Sequence, residues 1–220
     1  MHFANPQRLR PEFQRRGFAL ISDFLDGPEC SALLAEVRAI VRRCSKAIDR
    51  REHGYRLFYQ VVTGDDIKAY APLLFNIYTQ HAMLSWAQAL THRPSLGPSP
   101  HLRSAININC LHTAGQQYPW HRDAIPYTAL LFMSTLPRNA GGTFLIRAAD
   151  GQLVTIEPKA GVLVFMDGER CPHAVSQLHE NTVRLTVPMV YPAVDVARPA
   201  GLDEYLYASP GEEAPCQRTS

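Results

Sequence analysis

The sequence predicts a mainly β domain, a sandwich or jelly roll with helices ahead of it. Three observations carry that expectation. Behind a Pro-rich stretch at 93–100, "RPSLGPSP", the chain breaks into short β-rich runs separated by Gly, Pro, Asn or Asp. Many short strands with such turns suggest stacked sheets rather than alternating β-α units. Ahead of that stretch, apolar residues recur with helical spacing. Finally, 220 residues suit one large domain or two small ones. The residues before 93 could not bury a complete sheet alone, so the Pro-rich stretch reads as a connection inside one domain spanning 1–192.

The elements follow in order. Residues 6–16 read as a short helix, and "GFALISDFL" at 17–25 as a strand with a turn after it. In "DGPECSALLAEVRAIVRRCSKAI" (26–48), Pro28 near the start and apolar residues at 33, 34, 37, 40 and 41 mark an amphipathic helix. "YRLFYQVV" (55–62) is a strand candidate, and 67–91 is helical with a break expected near Pro72. Strand candidates then follow at 101–112, 118–123, 127–135, 141–148, 152–158, 161–167 and 182–191. The helices would cover one outer sheet face. Residues 193–220, rich in Pro, Ala and Gly, are expected to form a loosely packed tail.

Composition narrows the function classes. A hydrophobic fraction of 46% and a mean hydropathy of −0.16 describe an ordinary soluble protein. Net charge is +2 with no long basic run, so nothing requires a nucleic-acid partner. No apolar run approaches the roughly 18 residues needed to span a bilayer, so no membrane partner is expected. The N-terminal stretch lacks the hydrophobic region of a secretory signal. Five cysteines without a C-x-x-C pair suggest thiols in a reducing cytoplasm. There is no nucleotide-binding glycine motif.

Chemistry concentrates in the β-rich half. Its candidate ligands are His112, His121, Asp123, Asp167, His173 and His179. The best set is His121, Asp123 and His173. On a strand, residues two apart share a face, so "YPWHRDA" presents His121 and Asp123 together. His173 comes 50 residues after Asp123, past another strand candidate. Two imidazoles and a carboxylate suit non-haem Fe(II) with open coordination positions. In "NTVRLTVPMV", Val183, Leu185 and Val187 alternate with Arg184 and Thr186. If the apolar face meets the helices, Arg184 points inward and needs an anionic partner. A bound carboxylate would serve, with the Thr186 hydroxyl beside it; the alternative is a reversed strand with Arg184 in solvent.

This pattern, His121-x-Asp123, then His173, then Arg184-x-Thr186 eleven residues later, resembles the Fe(II)/2-oxoglutarate-dependent oxygenase superfamily. "GFALISDFLDGPEC" and "GGTFLI" look like its phytanoyl-CoA-hydroxylase-like and prolyl-hydroxylase-like branches. The resemblance covers roughly residues 15–192. It implies a double-stranded β-helix of the jelly-roll, cupin-like kind, with iron on His121, Asp123 and His173. It also implies that Arg184 and Thr186 hold the distal carboxylate of 2-oxoglutarate, which would chelate the iron through its other carboxylate and keto oxygen. Asn109 and Asn107 are candidates to contact the cosubstrate or substrate, and equally candidates for satisfied core amides. Dioxygen would be consumed, and succinate and CO2 released. Related halogenases carry a small residue where Asp123 stands, so hydroxylation of an aliphatic carbon is expected over halogenation, while desaturation, ring formation and epimerisation, which use the same triad, stay open. The substrate expected is a small molecule, an amino acid or natural-product intermediate. Two alternatives stay open: a cupin-like metal hydrolase or isomerase, and a non-catalytic binding protein of the same fold. Trp120 reads as a packing residue beside the site, and Arg56 and Tyr59 as candidate substrate contacts.

Overall fold

A computed structural model describes residues 1–52, 55–194 and 196–207. The part of the expected tail from 208 to 220 lies outside the described residues. The helices are α1 (Pro6–Arg16), α2 (Gly27–Cys44), α3 (Gly64–Tyr70), α4 (Pro72–Thr79), α5 (His81–Thr91), α6 (Leu102–Ala105) and α7 (Leu202–Tyr207). The strands are β1 (Phe18–Ile21), β2 (Lys46–Glu52), β3 (Tyr55–Val62), β4 (Ile108–Leu111), β5 (Tyr118–His121) and β6 (Tyr127–Phe132). Five more follow: β7 (Phe144–Arg147), β8 (Leu153–Ile156), β9 (Leu163–Asp167), β10 (His173–Val175) and β11 (Arg184–Val190).

The front helices form for local reasons. Asn5 caps α1, its side chain accepting from the Gln7 and Arg8 amides, and Gly17 ends the helix in the left-handed conformation at φ 79°. Asp26 and Glu29 make a reciprocal capping box on α2. The expected break at Pro72 separates α3 from α4. Helix α2 ends earlier than its periodicity suggests, because Ser45 is extended and residues 46–52 pair with β3. Ile48, 3% exposed, opposes Tyr59 in that hairpin, and such a partner is distant in sequence.

The strands make a seven-stranded sheet, β1-β9-β6-β11-β4-β3-β2, and a four-stranded sheet, β5-β10-β7-β8. Alternation assigns the faces. Ala129, Leu131, Leu163, Phe165, Leu185 and Val187 join the core beneath α1–α5. Their neighbours Leu130, Phe132, Val164 and Met166 turn the other way, onto Phe144, Ile146 and Ile156 of the small sheet. The helices therefore cover one face of the large sheet, as expected.

The expectation of a mainly β, double-stranded β-helix (jelly roll, cupin-like) is corrected here. The fold is mixed α/β: among the described residues the helices hold more residues than the strands. Nor do the sheets close into a barrel, since among the described residues no strand of one is hydrogen-bonded to a strand of the other. Side chains join them instead. At the β3–β5 seam, Tyr59 and Tyr118 face each other with ring centroids 5.6 Å apart, where closure would need backbone pairing. The unpaired gap between the sheets is where the cavity lies.

Candidate metal centre

His121 ends β5 and His173 begins β10, and the two are directly opposed in the antiparallel pair. Their rings lie edge to face with centroids 4.2 Å apart. Asp123 follows β5 by two residues, with its amide donating to the Gly168 carbonyl at 3.1 Å. Asp123 Oδ1 lies 3.4 Å from His173 Nε2 and 3.9 Å from His121 Nε2. One ligand atom from each of the three residues falls within 4.8 Å of the others.

The orientation of all three is fixed from behind. His121 Nδ1 lies 2.9 Å from the Pro119 carbonyl, and His173 Nδ1 3.0 Å from the Cys171 carbonyl. A carbonyl only accepts, so Nδ1 carries the proton and Nε2 the lone pair. The Thr128 hydroxyl donates to Asp123 Oδ2 at 2.7 Å, which turns Oδ1 toward the imidazoles. Burial pushes the Asp123 carboxyl up, but both imidazoles and the Thr128 hydroxyl outweigh it and hold it at about 2. Burial pulls the His173 imidazole down, yet the Asp123 carboxylate and the Cys171 carbonyl leave it raised. Two imidazole nitrogens and one anionic oxygen converging this way fit a divalent transition metal, whose binding would displace any proton on Nε2.

The triad opens onto a cavity of about 340 Å³ between the sheets. Arg184 lines it from β11 and is 1% exposed. Its Nε donates to the Gly142 carbonyl at 2.6 Å and its Nη1 to Thr186 Oγ1 at 3.3 Å, while Nη2 is buried without a partner. No carboxylate side chain pairs with it among the described residues. Burial lowers the guanidinium to about 9, still above neutral, so it is charged at pH 7. A buried cation with an unmet donor fits a carboxylate ligand.

The remaining expected residues divide. Thr186 and Asn109 are register partners on β11 and β4, and both line the cavity. Asn107 lines it too, just before β4, with its Oδ1 accepting from the Tyr207 hydroxyl of α7. Val183 precedes β11 and is 52% exposed, so the helix-facing stripe begins at Leu185. Trp120, expected as packing, is 46% exposed at the cavity rim, with the Arg147 guanidinium 6.0 Å from its ring centroid. Tyr59 lines the cavity, whereas Arg56 lies outside its lining, paired with Asp49 at 2.6 Å. His112 and His179 stay outside the ligand cluster, and Asp167 accepts from the Arg170 amide, capping its turn. Thr128, Gly142 and Tyr207 were not read from the sequence as site residues. Thr128, a polar residue near the start of an apolar strand, carries a sequence signal of its own.

A family model described as "HalD: Halogenase D" matches residues 2–152, which include His121 and Asp123 and end before His173 and Arg184. No match is found among curated proteins. Solved structures agree on the fold. The non-heme alpha ketoglutarate dependent epimerase SnoN from nogalamycin biosynthesis is 19% identical at a TM-score of 0.71, covering 97% of this chain and 92% of its own. The non-heme alpha ketoglutarate dependent carbocyclase SnoK, from the same biosynthesis, is 16% identical at 0.71, covering 100% and 98%. A Pseudomonas putida prolyl-4-hydroxylase is 19% identical at 0.66, covering 86% and 98%. The fold is thus related to that of the Fe(II)/2-oxoglutarate oxygenases, and these likenesses do not distinguish the phytanoyl-CoA-hydroxylase-like branch.

Proposed function

The chain belongs to the Halogenase D family, and from that premise we propose that it is an Fe(II)- and 2-oxoglutarate-dependent dioxygenase that hydroxylates an aliphatic carbon of a small molecule. The observation that carries this reading is the pairing, in one cavity, of the His121–Asp123–His173 cluster with the unmet Nη2 of buried Arg184. His121, Asp123 and His173 would hold the metal. Arg184 would hold the far carboxylate of 2-oxoglutarate in a two-pronged ion pair, and Thr186, already accepting from Arg184, would donate its own hydroxyl proton to the same group. Asn109, beside Thr186, would border the cosubstrate. Bound there, Fe(II) with 2-oxoglutarate and dioxygen supplies the oxidising power for attack on a C–H bond, with succinate and CO2 as coproducts. Residues 1–192 would form the catalytic domain. A reducing cytoplasmic setting belongs to the same reading.

Asp123 supports oxygenation within a family named for halogenation. Its carboxylate fills the position that related halogenases leave to a small residue. The hydrolase or isomerase alternative gives Arg184 no partner, and an inert binding protein gives the ordered triad no task. The test is an anaerobically Fe(II)-loaded enzyme given 2-oxoglutarate, oxygen, chloride and a panel of small metabolites. Succinate should accumulate with a product one oxygen atom heavier than its substrate. A chlorinated product would overturn the role given to Asp123. An isomer or a ring-closed product, the outcome named for the SnoN and SnoK enzymes, would overturn hydroxylation. Absence of succinate across the panel with metal bound would count against the oxygenase reading.

A further inference from the structure

The carboxylate of Asp123 is held by two residues outside the triad. Thr128, at the inward face of β6, is 3% exposed and donates to Oδ2 at 2.7 Å. Gly168, in the turn after β9, stands directly against the carboxylate. A Cβ built on Gly168 would overlap Asp123 Oδ2 and lie 2.6 Å from both its Cβ and its Cγ, closer than such atoms approach. The Gly168 backbone is not in the left-handed region, so conformational freedom does not explain a glycine here; space does. Both backbone groups of Gly168 are bonded to the connection between β5 and β6. Gly168 accepts from the Asp123 amide, and its own N–H donates to the Pro126 carbonyl.

Resting on the proposed metal reading, we infer that Thr128 and Gly168 are positioning residues that hold Asp123 as a one-oxygen ligand. Gly168 leaves the volume that the carboxylate fills. Thr128 engages Oδ2, so that Oδ1 alone faces Nε2 of His121 and His173. One carboxylate oxygen on the metal, rather than two, keeps an additional coordination position for cosubstrate or dioxygen. The aspartate therefore comes with its surroundings: a hydroxyl on one side and a missing side chain on the other.

The experiment compares wild type with Thr128→Val, Thr128→Ser and Gly168→Ala. Metal affinity is read by anaerobic Co(II) and Fe(II) titration, folding by circular dichroism, and coupling by succinate formed per oxygenated product. Thr128→Val keeps the shape and loses the donor, so metal affinity should fall about 10- to 100-fold, the usual effect of removing an outer partner of a ligand. Thr128→Ser should recover most of it, which a role in packing alone would not produce. Gly168→Ala should weaken metal binding at least as much, and adding Asp123→Gly to it should then cost little more, because the carboxylate is already displaced. Wild-type affinity in folded Thr128→Val overturns the inference for Thr128 whether or not Gly168→Ala folds. Equal loss in Thr128→Val and Thr128→Ser overturns it too. Wild type that binds neither metal overturns the underlying metal reading instead.

Discussion

Arg184 concentrates the site's chemistry in one side chain. A guanidinium buried to 1% exposure with Nη2 unmet is an unfavourable arrangement unless an anion completes it. Each charge-assisted hydrogen bond to that anion contributes roughly 1.5–3 kcal/mol. Arg184→Ala should therefore weaken 2-oxoglutarate binding about ten- to a hundredfold or more. Lysine keeps charge but loses the fork, so Arg184→Lys should recover only part. Metal affinity should hold in both, since Arg184 supplies no ligand. Anaerobic titration of the Fe(II)–2-oxoglutarate charge-transfer absorption measures this, and unchanged affinity in both variants would remove the reason for assigning that cosubstrate. The His121-x-Asp123, His173 and Arg184 pattern was legible in the sequence, but not for the reason strand alternation supplied: β5 ends at His121, and Asp123 joins the cluster from the loop that follows. The hold on Asp123 was not, because Gly168 reaches it through the fold, 45 positions away, and a Gly after Asp reads simply as a turn.

Among the elements, the turn before β7 bears directly on Arg184. "GGTFLI" looked like a family strand, and Gly141 and Gly142 at its start adopt φ 73° and 69°. What the sequence could not show is that the Gly142 carbonyl holds Arg184 Nε, or that a Cβ there would lie 2.8 Å from Leu178, 2.9 Å from Leu136 and 3.1 Å from Arg184 Cδ. Gly142→Ala should destabilise the fold by about 1–3 kcal/mol through overpacking, with backbone strain added, and should also displace Arg184. Gly151→Ala is the matched control. Gly151 has φ 88° with nothing within 4 Å of an added Cβ, so backbone strain appears there alone. Urea unfolding should show both variants destabilised, Gly142→Ala more so, and only Gly142→Ala should lose 2-oxoglutarate affinity. Equal affinity in the two would mean that Arg184 needs no clamp. Elements escaped the sequence reading where their partners were distant. Strand β2 was hidden in the continued helical spacing of α2, and α6 inside a run that looks β-rich throughout. Helix α7 lay in the stretch expected to be tail, yet Tyr205 and Tyr207 line the cavity.

Across the whole molecule, the candidate metal centre lies where two unclosed sheets meet face to face. The triad belongs to the small-sheet side, on β5, β10 and the loop after β5, while Arg184 and Thr186 stand on the large sheet. Among the described residues no strand pairing joins the sheets, and Phe144 is one of the side chains packed between them. It is 1% exposed, its ring centroid lies 6.1 Å from that of Phe132 on the large sheet, and 5.7 Å from that of His173. Phe144→Ala should cost about 3–5 kcal/mol of unfolding free energy, and Phe144→Leu markedly less. If spacing between the sheets orients the ligands, metal affinity should fall in the same order. Metal provides its own check: Co(II) at about one hundred times its dissociation constant should add about 2.7 kcal/mol to wild-type stability. That gain should vanish in His173→Ala and shrink in Phe144→Ala when the same metal concentration is used. Chemical denaturation with and without Co(II) reads all four proteins. A Phe144→Ala protein that is destabilised yet binds Co(II) as tightly as wild type would show that β5 and β10 hold the triad by their own pairing, His121 opposite His173, without support from the large sheet.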